Sequence, residues 1–239
     1  MDILIFSSLK EISQSLSDSF FKNQICSKSK KRFLEKEIAK EILLRSLQVF
    51  YGYTSSILPE IKLNKYGKPY FKDNFYPFYN ISHSEDFIII GFSDNFIGVD
   101  IELIKNKRNI HQIAKRFYTE EEYDFVKEQN FSYDIFYTIW VLIESISKYI
   151  GKGFSSFNKD FSIIPSNNSV IVNKKECRDK ITIGSLISND NEYKFAYVVE
   201  NQNLPKIYFY SNSKFIPINE WQNVSIKYSK LDFGCSNIM

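Results

Sequence analysis

Apolar and polar residues change their spacing several times along the chain, and each change marks a predicted element. Residues 1–9 are almost continuously apolar and read as a buried strand. A polar stretch follows and ends in the basic run Lys28-Ser29-Lys30-Lys31-Arg32. From 33 to 50, Phe33, Leu34, Ile38, Ala39, Ile42, Leu43, Leu47 and Phe50 recur at intervals of three and four, which predicts an amphipathic helix. Tyr66-Gly67-Lys68-Pro69-Tyr70 has the composition of a turn. Segments 78–82, 87–93 and 96–103 read as strands separated by short polar breaks. The basic polar segment 105–109 is the expected linker between two halves. Helices are predicted over 110–117, 119–128 and 133–149, the second opened by a Thr119…Glu122 capping box and the third stopped by Gly151-Lys152-Gly153. From about 161 the pattern returns to short strands, including 181–188, 194–199 and 207–210, and residues after 230 are expected to form a loose tail. The predicted class is α+β.

Composition narrows this picture. At 239 residues, with 44% hydrophobic and 17% aromatic content, the chain has the means to bury a full core. A net charge of +3 is too mild for a general nucleic-acid binder, although the basic residues are clustered. Cys26, Cys177 and Cys235 are odd in number and widely spaced, which suggests neither a zinc site nor a disulfide framework. The acidic start and the lack of an apolar run of about 20 residues argue for a soluble cytoplasmic protein without a membrane segment.

Three constellations carry chemistry. In Gly98-Val99-Asp100-Ile101-Glu102 the two acids alternate with apolar residues, so a strand projects both from one face. Paired carboxylates repel unless a cation sits between them, and hard oxygen donors suit Mg²⁺ beside a phosphate. A solvated face is the plain alternative for an isolated pair of this kind. Glu144 lies on a helix with Trp140 and Lys148 at four residues to either side; alone, Glu144 and Lys148 are simply a helix ion pair. His83, between Ser82 and Ser84, is suited to donate to a phosphate, or else is structural or a general base. Lys28, Lys30, Lys31, Arg32, Lys36 and Lys40 form the basic signal, with Lys68 in the turn. It reads as a solvated face, a nucleic-acid patch or a binding site for a small polyphosphate.

Together, Gly67-Lys68-Pro69, Asn80-Ile81-Ser82-His83-Ser84, Gly98-Val99-Asp100-Ile101-Glu102 and the run from Trp140 through Glu144 and Lys148 to Gly151-Lys152-Gly153 closely resemble the surfactin-type 4′-phosphopantetheinyl transferases. The resemblance covers about residues 28–154. It implies a pseudo-dimer of two similar α+β halves, 1–104 and 105–230, with a tail at 231–239 and the active site between the halves. It also implies transfer of the 4′-phosphopantetheine arm of coenzyme A to a serine of an apo acyl or peptidyl carrier protein, releasing adenosine 3′,5′-bisphosphate. Asp100, Glu102 and Glu144 are then the metal ligands for Mg²⁺, with Mn²⁺ as substitute. Lys28, Lys31, Lys36, Lys68, Ser82, His83 and Lys148 are the coenzyme A contacts, and Glu144, Lys148 and Glu122 the catalytic set. Glu122 aligns with a proposed general base, against its plain capping role. Lys115, Arg116, Phe117 and Tyr118 are the expected docking surface for an acidic carrier. A monomer is expected, with no membrane or nucleic-acid partner. One position departs from the pattern: the lysine usual before the helix glutamate is Ile143 here. The alternatives are a weakly active paralogue that binds carrier protein or coenzyme A, and a nucleic-acid-binding protein.

Overall fold

The computed structural model describes residues 1–9, 28–153, 162–165, 169–173, 180–188, 191–199, 205–218 and 225–234. The three cysteines lie outside these residues, as does the polar stretch before Lys28. The described elements run β1 (Ile3–Ser8), α1 (Lys28–Tyr51), β2 (Ile61–Leu63), β3 (Pro69–Phe71), β4 (Phe78–Ser84), β5 (Phe87–Ser93), β6 (Ile97–Leu103), α2 (Ile110–Phe117), α3 (Glu120–Glu128) and α4 (Tyr133–Ile150). Then follow β7 (Ser162–Pro165), β8 (Ser169–Asn173), β9 (Lys180–Ser188), β10 (Asn191–Val199), β11 (Lys206–Ser211), β12 (Lys214–Pro217) and β13 (Ser225–Gly234). Helices and sheets mix as the α+β class requires. Among the described residues no helix is long and apolar enough to cross a membrane.

Two sheets stack with helices on their outer faces. The first has the order β12-β11-β1-β5-β4 and the second β6-β10-β9-β13-β8-β7. Period-two alternation divides the labour within a strand. On β1, Ile3 and Ile5 face α1, packing with Ile38, Ile42 and Leu47. Leu4 and Phe6 point the other way and meet Val99, Ile101 and Phe195 between the sheets. Helix α4 covers the far side of the second sheet, burying Phe136, Ile139, Leu142, Ile143 and Ile146.

Each sheet draws strands from both sides of the expected boundary at 104. β6 precedes the expected boundary at 104, yet it pairs with β10 in the second sheet. β11 comes late in the chain, yet it pairs in parallel with β1 in the first. Local polarity marks strand positions but carries no information about partners so distant in sequence. Two further boundaries move. α1 begins at Lys28, so the basic run expected before the helix is its first turn. β13 continues through Gly234, hydrogen-bonded to β8 and β9, where a loose tail was expected from 231.

Candidate active site

The site forms where β4, at the edge of the first sheet, meets β6, at the edge of the second. These strands are stitched by side chains. Asn80, Ser82 and Ser84 share one face of β4 and are buried. Asn80 Oδ1 accepts the Val99 N–H at 2.9 Å. Ser82 Oγ donates to Asp100 Oδ1 at 2.7 Å, and Ser84 Oγ donates to Glu102 Oε2 at 3.1 Å while accepting the Leu103 N–H at 3.0 Å. Ser82, an expected coenzyme A contact, has its hydroxyl on Asp100. The roles of Asn80 and Ser84 were missed, though the alternation within Asn-Ile-Ser-His-Ser is the signal that finds them.

Helix α4 brings the third acid. Gly98 makes this approach possible, because a Cβ there would lie 1.9 Å from Ser145 O and 2.5 Å from Tyr149 N. The helix backbone therefore rests directly on β6. Lys148 Nζ donates to Asp100 Oδ1 at 2.6 Å and to Ser82 Oγ at 2.9 Å. Glu144 lies one turn earlier on α4, and Lys148 makes its direct ion pair with Asp100 of β6. Ile143 is wholly buried in the α4 core, so no charge enters from that position.

The electrostatics are those of a negative, partly dry pocket. Burial, reinforced by Asp100 and Glu102, pushes the Glu144 carboxyl up to about 7 against the pull of Lys148. Burial and then Asp100 also raise Glu102, opposed by the Ser84 hydroxyl, Arg108 and Lys148. Asp100 is 3% exposed, and its Oδ2 is buried with no hydrogen-bond partner among the described residues. The carboxylate oxygens of Asp100, Glu102 and Glu144 are hard donors of the type a divalent cation takes. Among the described residues no group of three or more His, Cys, Asp or Glu side chains is arranged to hold a metal ion.

On the opposite face of β4, Ile81 and His83 line a cavity of about 640 Å³ with Lys31, Arg32, Lys36 and Ala39 of α1. His83 Nε2 lies 3.8 Å from Glu35 Oε2, and Lys31 reaches Glu85 at 3.3 Å. Extending α1 back to Lys28 is what sets Lys31 and Arg32 on this wall. The Lys28 side chain lies outside the described residues. Lys68 is not on the wall. Its Nζ donates to Ile97 O at 2.8 Å and Tyr149 O at 3.3 Å, and burial pushes its ammonium down to about 8.

Glu122 is not joined to the three acids by any contact among the described residues. Its Oε2 accepts the Thr119 N–H at 2.9 Å and its Oε1 accepts the Ile163 N–H at 2.8 Å, in a complete capping box. It is 0% exposed, and the capping role is formed in full. On the expected docking surface, Lys115 and Arg116 are exposed and Arg116 lies over the Phe117 ring. Tyr118 is a correction: it is buried and donates to Phe136 O at 2.7 Å.

The stitched strand pair places three acids on one side of β4 and a cavity with Lys31, Arg32 and Lys36 on the other, and sequence comparison adds the family. The chain belongs to the 4′-phosphopantetheinyl transferase superfamily, whose family profile matches residues 96–198. It is 31% identical over 175 residues to a 4′-phosphopantetheinyl transferase of Bacillus subtilis, covering 70% of this chain and 76% of that protein. It is 36% identical over 144 residues to 4′-phosphopantetheinyl transferase Sfp of Bacillus subtilis (strain 168), covering 56% of this chain and 62% of the relative. To 4′-phosphopantetheinyl transferase gsp of Aneurinibacillus migulanus it is 32% identical over 147 residues, 60% of each chain. The matches to these last two span about three-fifths of their length.

Proposed function

We propose that this protein transfers the 4′-phosphopantetheine arm of coenzyme A to a serine of an apo acyl or peptidyl carrier protein, releasing adenosine 3′,5′-bisphosphate. The observation that carries the reading is the buried Oδ2 of Asp100, without a hydrogen-bond partner among the described residues and electrostatically coupled to Glu144 and Glu102, with a cavity carrying Lys31, Arg32 and Lys36 on the other face of β4. Asp100, Glu102 and Glu144 are the residues that would hold Mg²⁺, or Mn²⁺ in its place. Bound there, the ion would neutralise charge on the pyrophosphate and favour departure of the bisphosphate.

The remaining roles belong to the chain itself. Lys31, Lys36 and His83 give the cavity donors for the terminal phosphate of coenzyme A, with Arg32 beside them. Lys148 uses two N–H bonds on Asp100 and Ser82, and an ammonium has a third for a pyrophosphate oxygen. Ser82 and Ser84 keep the two strand acids aimed at the pocket. The nucleophile is the carrier's serine, whose oxygen attacks the phosphorus on the pantetheine side while the bond to the bridging oxygen breaks. Exposed Lys115 and Arg116 suit an acidic carrier surface. The setting is the cytoplasm, and the chain acts as a monomer built of two similar halves.

Intact-mass spectrometry of a panel of apo carriers, incubated with the protein, coenzyme A and Mg²⁺, tests this. A gain of one phosphopantetheine that disappears with chelator supports the proposal. No gain on any carrier, with coenzyme A still bound, overturns it in favour of a binding-only protein.

A further inference from the structure

We infer that the β2–β3 hairpin is a positioning clamp, in which Asn64 and Lys68 fix the last turn of α4 against β6 and so set Glu144 and Lys148 relative to Asp100. The inference rests on the proposed transferase reading for the chemistry being positioned, while the contacts themselves stand apart from it.

A helix leaves its final carbonyls without partners inside the helix. At the end of α4 two of them are taken by the hairpin. Asn64 Nδ2 donates to Gly151 O at 2.9 Å, and Lys68 Nζ donates to Tyr149 O at 3.3 Å. The same ammonium donates to Ile97 O at 2.8 Å, the first residue of β6. One cation thus holds the two elements that supply the acids. It also sits at the negative end of the helix dipole.

Asn64 is built for the task. Its Oδ1 accepts the N–H groups of Tyr66 and Lys68, each at 2.9 Å, which fixes the hairpin turn and leaves Nδ2 aimed at Gly151. Gly151 takes φ 74°, and a Cβ there would lie 3.1 Å from Asn64 Nδ2 and 3.3 Å from Lys68 Cδ, so the helix stops against the clamp. Its N–H still donates to Ser147 O, one residue before Lys148. Nearby, Gly98 leaves no slack between α4 and β6. A shift of the last turn is therefore passed to Lys148 and, one turn earlier, to Glu144.

The sequence pattern put Lys68 at the nucleotide, and the two roles separate experimentally. Wild type, Asn64→Ala, Lys68→Met, Lys68→Arg and the Asn64→Ala/Lys68→Met double variant are compared on a carrier that wild type modifies. Three readouts are taken: kcat and KM for coenzyme A, Mn²⁺ affinity by electron paramagnetic resonance, and amide hydrogen exchange at Gly151. A clamp lowers kcat roughly tenfold in each single loss variant with KM within about twofold of wild type. Mn²⁺ affinity falls and exchange at Gly151 speeds up in the same variants. The double variant is little worse than the poorer single, because both act through one contact. Lys68→Arg, which keeps a donor, recovers most of kcat. A raised KM for coenzyme A in Lys68→Met, with kcat, exchange and Asn64→Ala all at wild-type values, overturns the clamp. If Asn64→Ala does not fold, Asn64→Asp keeps the turn acceptor while turning an oxygen to Gly151 O, and the same losses are expected. If wild type modifies no carrier, the transferase reading fails, and exchange with Mn²⁺ affinity still decides the clamp.

Discussion

Two buried acidic regions of this protein differ in how their charge is met. Glu122 is wholly buried, yet each of its oxygens accepts a backbone N–H, one from its own cap and one from β7. Asp100 has one oxygen shared by Lys148 and Ser82 and another with no partner among the described residues, and two more acids crowd it. Burial raises the carboxyls of Glu122, Glu102 and Glu144 alike. The difference lies in what opposes that cost. Around Glu122 the backbone supplies the compensation, so the group stabilises a helix start. Around Asp100, Lys148 and the more distant Arg108 face three acids, and one carboxylate oxygen finds no hydrogen-bond partner among the described residues.

That contrast breaks most sharply at Asp100. Asp100→Ala is expected to cost about a thousandfold or more in transfer, since charge stabilisation at such a site is worth several kcal/mol. Its melting temperature should stay near wild type, because the change also relieves repulsion on Glu144; unchanged turnover would refute the role. Gly98→Ala comes next. A Cβ 1.9 Å from Ser145 O forces α4 off β6, for a loss of at least about 3 kcal/mol in denaturant unfolding along with activity. Glu122→Gln should cost about 1–2 kcal/mol, since an amide has one acceptor for two N–H groups. Turnover per folded molecule should hold; a collapse at full stability would restore Glu122 as a base.

The smallest effect is a pH slope. Burial pushes Lys68 down to about 8 in the fold, from 10.5 when unfolded, so between these values the unfolded chain binds more protons. Stability relative to Lys68→Met should therefore rise with pH from about 8 to about 10.5, by at most about 1.4 kcal/mol per pH unit. A flat difference across that window would mean the ammonium keeps its ordinary affinity.

Much of this was legible in the chain. Helices α2, α3 and α4 lie close to their expected spans because three-and-four spacing, the Thr119 cap and the Gly151 stop agree locally. Asp100 and Lys148 meet directly, and both act electrostatically on Glu144. Sheet membership was not legible, since β6 and β11 find partners on the far side of the chain. Nor was the direction of single side chains: Ser82 and His83 are adjacent in sequence, yet one meets Asp100 and the other a cavity on the opposite face. Lys68 shows the same limit, because a turn lysine gives no hint that it will reach two backbone carbonyls.

The most direct test of the central contrast is Mn²⁺ binding, followed by electron paramagnetic resonance with coenzyme A present, in wild type, Asp100→Ala and Glu122→Gln. The account predicts one tight site in wild type, retained in Glu122→Gln and lost in Asp100→Ala. Equal binding by wild type and Asp100→Ala would contradict it.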